Sequence, residues 1–308
     1  MASATATSSL KSGPLRRLSR SENAIGWAFV TPAAVLMGIF GLLPIAWSLV
    51  LSFQQSDLLT PETPWVGLDN YRKLTHDEQF ASAIQHTIVF TALFVPATMV
   101  VGLLVAVALN RSIRGVSFYR TAAYVTMAVS TINEAIIFVW LFNPSFGLVN
   151  SGLDKLGVPQ QLWLSSTSQA LYVIVAMTVW GWTGFAVVIY LAALQGVPQD
   201  LLDAAAIDGA KRFKAFRTIT VPLLSPASLF LGIWLSINAL QLFDEVYLST
   251  RGGPLGSTTV VVYYVYQQAF QQFNAGYGAA LAYALFMVIL VATFIQFRVG
   301  QRFVHYNR

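Results

Sequence analysis

Residues 83–109 read AIQHTIVFTALFVPATMVVGLLVAVAL, a run of 27 residues without an Asp, Glu, Lys or Arg. A helix crossing a hydrocarbon core of about 30 Å needs about 20 predominantly apolar residues. Working outward, five further stretches meet that requirement: 27–53, 121–142, 169–193, 223–243 and 279–297. Only the third span in chain order carries a charge, Glu134. Over all 308 residues, hydrophobic types make up 56%, charged types 10%, and mean hydropathy is +0.62. A soluble domain carries about 25% charged residues, so this chain cannot coat a water-facing surface. The same numbers exclude a disordered or collagen-like chain. The expected class is all-α: a polytopic membrane protein with six transmembrane helices. Prolines 32, 44, 96 and 226 lie within the spans or near their ends. Neighbouring helices in lipid re-satisfy the carbonyls such prolines free, so kinks are expected rather than breaks. Thr259–Phe273 is apolar but glutamine-rich and reads as a partly buried segment before the last span.

Lys and Arg are unevenly placed. Lys11, Arg16, Arg17, Arg20, Arg111, Arg114, Arg120, Lys211, Arg212, Lys214, Arg217, Arg298, Arg302 and Arg308 fall on one side, against Arg72, Lys73, Lys155 and Arg251 on the other. Cytoplasmic loops carry the excess, so both termini are expected in the cytoplasm of a cell-membrane protein. The basic N-terminus needs no nucleic acid to explain it. The first apolar run is too long for the roughly 7–15-residue core of a signal peptide. The expected organisation is a disordered basic tail (1–24), a six-helix permease domain (25–300) and a short C-terminal tail (301–308).

Catalytic signatures are missing. No phosphate loop, G-x-S-x-G, H-E-x-x-H or G-x-G-x-x-G occurs. Cysteine is absent and the three histidines are scattered, so no metal cluster is expected. Uphill transport would draw on an ion gradient or on a partner.

The loop after the fourth span, residues 196–226, reads GVPQDLLDAAAIDGAKRFKAFRTITVPLLSP. Asp200 and Asp203 suit the electropositive first turn of a helix. Ala204, Ala205 and Ala206 form helix with little bulk, and Gly209 permits a sharp bend. Phe213, Phe216 and Ile219 then recur at i, i+3, i+6 among basic residues. Two short helices around a glycine would fit a groove in another protein or lie on lipid headgroups.

This loop resembles the E-A-A-x-x-x-G signature of binding-protein-dependent ABC importer permeases, in Asp203, Ala204, Ala205 and Gly209, followed by Ile219, Pro222 and Pro226. Asp203 replaces the usual Glu and is one methylene shorter. The form A-x-I-D-G-A, Ala205 through Ala210 with Asp208, resembles the carbohydrate-uptake branch. VGLDNYRKL (66–74), HTIVFT (86–91), LFNPSFGLVN (141–150) and TRGGPLGSTT (250–259) are similar to stretches of the same branch. The overall pattern is most similar to permeases for glycerol-3-phosphate and glycerophosphodiesters. The resemblance implies a type I ABC importer permease fold. It also implies an ATPase-coupling role for Asp203, Ala204, Ala205, Asp208, Gly209, Ala210, Phe213 and Phe216. The implied partners are a second permease subunit, two copies of a cytoplasmic ATPase that carries ATP and Mg, and an external solute-binding protein. This chain is expected to bind no cofactor and to be no enzyme.

The solute is expected to be a glycerophospho compound, with a sugar or oligosaccharide as the alternative. An ion-coupled secondary transporter, which should show repeats and paired intramembrane charges, is a weaker reading. Candidate pathway residues are Asn133 and Glu134 on the third span, and Trp180, Trp182 and Phe185 on the fourth. Asn238, Gln241 and Asp244 complete the set. A carboxylate in lipid must face the bundle or a watery cavity. Glu134, with no evident partner, either contacts a polar or cationic part of the solute or bonds a neighbouring span.

Overall fold

The computed structural model describes residues 22–57, 59, 62–111 and 114–302. The N-terminal tail through residue 21 and the C-terminal tail from 303 lie outside the described residues, so the basic groups expected there have no structural account. Among the described residues there are helices and two isolated β-bridges, Gln54–Trp65 and Asp57–Asn274. The helices are α1 (Glu22–Met37), α2 (Leu43–Ser52), α3 (Asp69–Leu74), α4 (Glu78–Leu109), α5 (Val116–Ala128), α6 (Thr131–Leu141), α7 (Leu148–Asp154) and α8 (Ala170–Gln195). After them come α9 (Gln199–Ile207), α10 (Arg212–Ala215), α11 (Val221–Leu223), α12 (Ser225–Leu240), α13 (Asp244–Ser249), α14 (Val261–Tyr266) and α15 (Ala275–Gly300).

Four continuous helical segments are long and apolar enough to cross a membrane: Ile25–Ser52, α4, α8 and α15. The third and fifth expected spans are each broken. α5 and α6 meet at 99°, and the Arg212–Leu223 stretch meets α12 at 62°. Counting each bent pair as one span makes six. The break at Val129–Ser130 was not expected from the sequence. It contains no proline, and both residues leave helical geometry for extended backbone. Pro32 and Pro96, by contrast, sit inside α1 and α4. Pro222 in α11 and Pro226 in the first turn of α12 flank the 62° break, so there the expected kink is a break.

α4 and α8 form the centre of the bundle. α5 packs on α8, α12 on α4, and α15 on α2. Phe90, Phe94, Ile174, Met177 and Leu235 make the mid-depth core, while Ala106, Ala186, Tyr190, Leu191 and Leu224 make a second cluster toward the 196–226 loop. No residue in the most apolar window of Ile25–Ser52 is fully buried by the rest of the chain, and Phe29 is 82% exposed.

Four of the stretches that carry the family resemblance are structural ties. Asn70 donates to the carbonyls of Ser52 and Gln54, each at 2.9 Å. His86 Nδ1 lies 3.0 Å from the Thr259 carbonyl, and the Val261 amide donates to Thr87 Oγ1 at 3.0 Å. Buried Asn150 donates to the carbonyls of Pro144 and Gln161, each at 2.9 Å, and accepts from Trp163 Nε1 at 2.7 Å. At the same end of the bundle Asp77 caps α4, accepting from the amides of Gln79 and Phe80, each at 3.0 Å. It also accepts from the Tyr264 and Tyr277 hydroxyls. Burial pushes the Asp77 carboxyl up, but these bonds, those from Tyr277 and Tyr264 first, outweigh it and leave it below the ordinary value. The segment read as partly buried is α14 with a π turn at Gln267–Gln271, and Val261, Tyr263, Tyr264 and Gln268 are buried.

Candidate functional site

Two features stand out: a pair of adjoining cavities at mid-depth, and the loop between α8 and α12.

The first cavity, about 300 Å³, is lined by Thr126, Met127, Val129, Thr131, Glu134, Gly181, Trp182, Phe185, Trp234 and Glu245. The second, about 270 Å³, shares Thr131, Trp182 and Glu245, and adds Phe90, Phe94, Thr178, Asn238, Ala239, Gln241, Leu242, Phe243 and Asp244. The shared residues make the two cavities neighbours. Their walls come from α4, both halves of the bent third span, α8, α12 and α13. No Lys, Arg or His is among these lining residues.

The α5–α6 break explains why Glu134 faces this space. It starts a fresh helix at Thr131 and puts Glu134 in its first turn. The unpaired amides of a helix N-terminus favour an anion there. Glu134 is only 6% exposed, and its Oε1 has no hydrogen-bond partner. Its carboxylate lies against the bare backbone of Gly181 on α8. A Cβ at that position would stand 2.5 Å from Glu134 Oε2, so a larger residue would displace the carboxylate. The Gly184 amide donates to Thr126 Oγ1 at 3.1 Å and holds α5 beside the site. Trp182 and Phe185 meet edge-on with centroids 5.8 Å apart, and Phe185 lies 6.2 Å from Trp234, so the three rings form one aromatic wall.

Six of the eight pathway candidates line these cavities: Glu134, Trp182, Phe185, Asn238, Gln241 and Asp244. Asn133 and Trp180 do not. Asn133 is exposed beside Glu134, because adjacent helical residues point about 100° apart. Trp180 packs on Phe138, centroids 5.9 Å apart. Reading the sequence missed Glu245, which corrects the expectation that Glu134 is the only carboxylate at this depth. The fifth span's helix ends at Leu240, residues 241–243 are non-helical, and α13 packs on α6. The Asp-Glu pair at 244–245 was the available signal, but a straight span would have carried it away from the bundle.

The loop follows the expected pattern with one correction: the helix starts at Gln199, so only Asp200 lies in its first turn, while Asp203 sits beyond it and accepts from Gln199 Nε2 at 3.0 Å. α9 ends at Ile207, and Gly209 adopts φ +76° with open space around it. The chain then continues through α10 and a π turn at Phe216–Thr220 into the bent fifth span. Asp203, Ala204, Asp208 and Phe213 are exposed, while Ala205, Ala210 and Phe216 are half-buried. Ile207 is 87% and Phe213 76% exposed, an apolar surface beyond the core.

A family profile described as binding-protein-dependent transport system inner membrane component matches residues 98–305. The chain belongs to that family. It is 34% identical over 288 residues to the trehalose/maltose transport system permease protein MalF of Thermococcus litoralis, covering 92% of this chain and 96% of that protein. It is 32% identical over 287 residues to the sn-glycerol-3-phosphate transport system permease protein UgpA of Yersinia pestis, covering 91% and 95%. Its fold matches a chain of a bacterial ABC transporter involved in the import of the acidic polysaccharide alginate. That match has a TM-score of 0.83 at 23% identity and covers 94% of this chain and 98% of the other. The protein is a multi-pass inner-membrane permease subunit of an ABC importer. It is a translocation component and not itself an enzyme.

Proposed function

We propose that this subunit pairs with a second, unlike permease to pass a glycerophospho compound across the membrane, with a sugar as the second reading. An external solute-binding protein delivers the solute, and two copies of a cytoplasmic ATPase, which hold the ATP and Mg, drive the cycle. The chain itself needs no cofactor. The uneven Lys and Arg distribution supports cytoplasmic termini and a cytoplasmic 196–226 loop.

The observation that carries this reading is the exposed knuckle α9–Gly209–α10, with Leu201, Ile207 and Phe213 standing clear of the bundle. Such a surface suits the groove of a partner. It is continuous with the bent fifth span, so a push on the knuckle reaches Leu224 and α12, which lines both cavities. Closing of the ATPase dimer would move the knuckle and reorient the bent spans, a two-state change biased by a distant ligand.

Relatives named for glycerol-3-phosphate support the glycerophospho reading, and relatives named for maltose, trehalose and lactose support the sugar reading. The cavities lack a lining cation, so any phosphate would be read elsewhere, on the binding protein or the partner permease.

The test uses the complex purified with its native partners. Solute-stimulated ATP hydrolysis is measured over sugars, glycerol-3-phosphate and glycerophosphocholine. The natural chain has no cysteine, so an Ile207→Cys variant offers a single attachment point. It should react with an impermeant maleimide from the cytoplasmic side only, and should cross-link to the ATPase. Labelling from outside, or no cross-link, would overturn the coupling assignment.

A further inference from the structure

We infer that the mid-depth cavity binds an ammonium group carried by the transported solute, with Glu134 as its counter-charge; this rests on the permease reading above. A carboxylate withdrawn from water is costly unless it is paired. Glu134 is 6% exposed, its Oε1 finds no partner in the chain, and it lines a space of about 300 Å³. Glu245 lines the same space, and no Lys, Arg or His lies among the lining residues to neutralise either. A neutral Glu134 holds a proton, and an ionised one takes its counter-charge from outside this chain.

The walls select the kind of cation. Trp182, Phe185 and Trp234 present contiguous rings, and aromatic faces attract alkylammonium groups, tryptophan most strongly. A calcium-like ion instead wants six or more oxygen ligands. Among the described residues no group of three or more His, Cys, Asp or Glu is placed to hold a metal. The space is large enough for a head group and shares lining residues with the adjoining cavity of about 270 Å³, which leaves room for the rest of the solute.

The experiment reconstitutes the chain with its native permease partner, ATPase and binding protein in proteoliposomes. ATP-dependent uptake of glycerophosphocholine, glycerol-3-phosphate and maltose is compared in wild type, Glu134→Gln and Glu134→Asp. Glycerophosphocholine should be transported. Its uptake relative to the best non-cationic solute should fall about tenfold in Glu134→Gln and partly recover in Glu134→Asp. A second readout needs no transport: choline chloride is titrated into the complex in nanodiscs against a sodium chloride control, reading tryptophan fluorescence. Wild type should give a saturable change that Glu134→Gln abolishes. The inference is overturned by an equal fall for every solute, which marks a packing role, or by a choline signal that is absent or survives Glu134→Gln. ATP-driven uptake of glycerol-3-phosphate or maltose without glycerophosphocholine overturns it while leaving the permease reading intact. Loss of ATP-driven uptake for all three solutes, with ATP hydrolysis unstimulated, strikes the proposed solutes of the permease, and the choline titration then still decides the cavity.

Discussion

α4 and α8 approach closely where Gly102 faces Ala186. A Cβ added at Gly102 would stand 2.5 Å from Ala186 Cβ and 3.3 Å from the Ala186 carbonyl carbon. Carbon atoms rest comfortably at about 3.5–4.0 Å, so Gly102→Ala is short by about 1 Å. Neither neighbouring atom is the end of a flexible side chain, and Ala186 is fully buried. The misfit must therefore be taken up by moving a 32-residue helix against a 26-residue one. Overpacking of this kind costs about 1–3 kcal/mol. Against it, Ala gains up to about 1 kcal/mol over Gly in helix propensity. The steric effect should win, and Gly102→Ala should be destabilised by roughly 1–2 kcal/mol. Adding Ala186→Gly removes the 2.5 Å contact and leaves the new methyl at 3.3 and 3.5 Å from Ala186 backbone atoms. The double variant should recover part of the loss, with a coupling energy of about 1 kcal/mol or more. The assay is apparent thermal unfolding of the purified complex at one fixed scan rate, because unfolding of such proteins is commonly irreversible. A Gly102→Ala variant as stable as wild type, or strictly additive single variants, would refute the reasoning.

Asp77→Ala strips the common acceptor from Tyr264, Tyr277 and the first amides of α4. It should lower stability by about 1–3 kcal/mol, measured by the same unfolding assay. Because the folded Asp77 carboxyl lies below its ordinary value of 3.8, its stabilising contribution is present above about pH 4 and is lost as pH falls through the folded value. The acid-side decline in apparent melting temperature should flatten in Asp77→Asn, and an unchanged acid profile would contradict this. Asn150→Ala removes the side-chain partner of two carbonyls, the Gln161 amide and an indole N–H. A loss of about 1–3 kcal/mol is expected, and a neutral substitution would show that water replaces the side chain. Gly209→Ala meets no steric obstacle, since nothing lies within 4 Å, so its cost of about 1–2 kcal/mol comes from the left-handed backbone alone. Solute-stimulated ATP hydrolysis should fall several-fold, Gly209→Asn should fall less, and equal rates in all three proteins would remove the hinge role.

The apolar runs were legible because lipid leaves the backbone no alternative to internal hydrogen bonding, so composition and length suffice to name a span. The 196–226 knuckle was legible for a similar local reason: its acidic first turn, alanine run and glycine act within a few residues of themselves. The cavity was half legible. Aromatic character and the family resemblance nominated Trp182, Phe185 and Asn238, but aromatic character also nominated Trp180, which packs on Phe138. Glu245 stayed hidden because its position depends on the interruption at 241–243 and on the packing of α13 against α6. The break at Val129–Ser130 had no proline to announce it, yet it decides which way Glu134 points. Periodicity names a face of a helix and says nothing of which neighbour that face will meet. That choice follows from bends and close approaches such as Gly181 against Glu134, which exist only once separate helices pack.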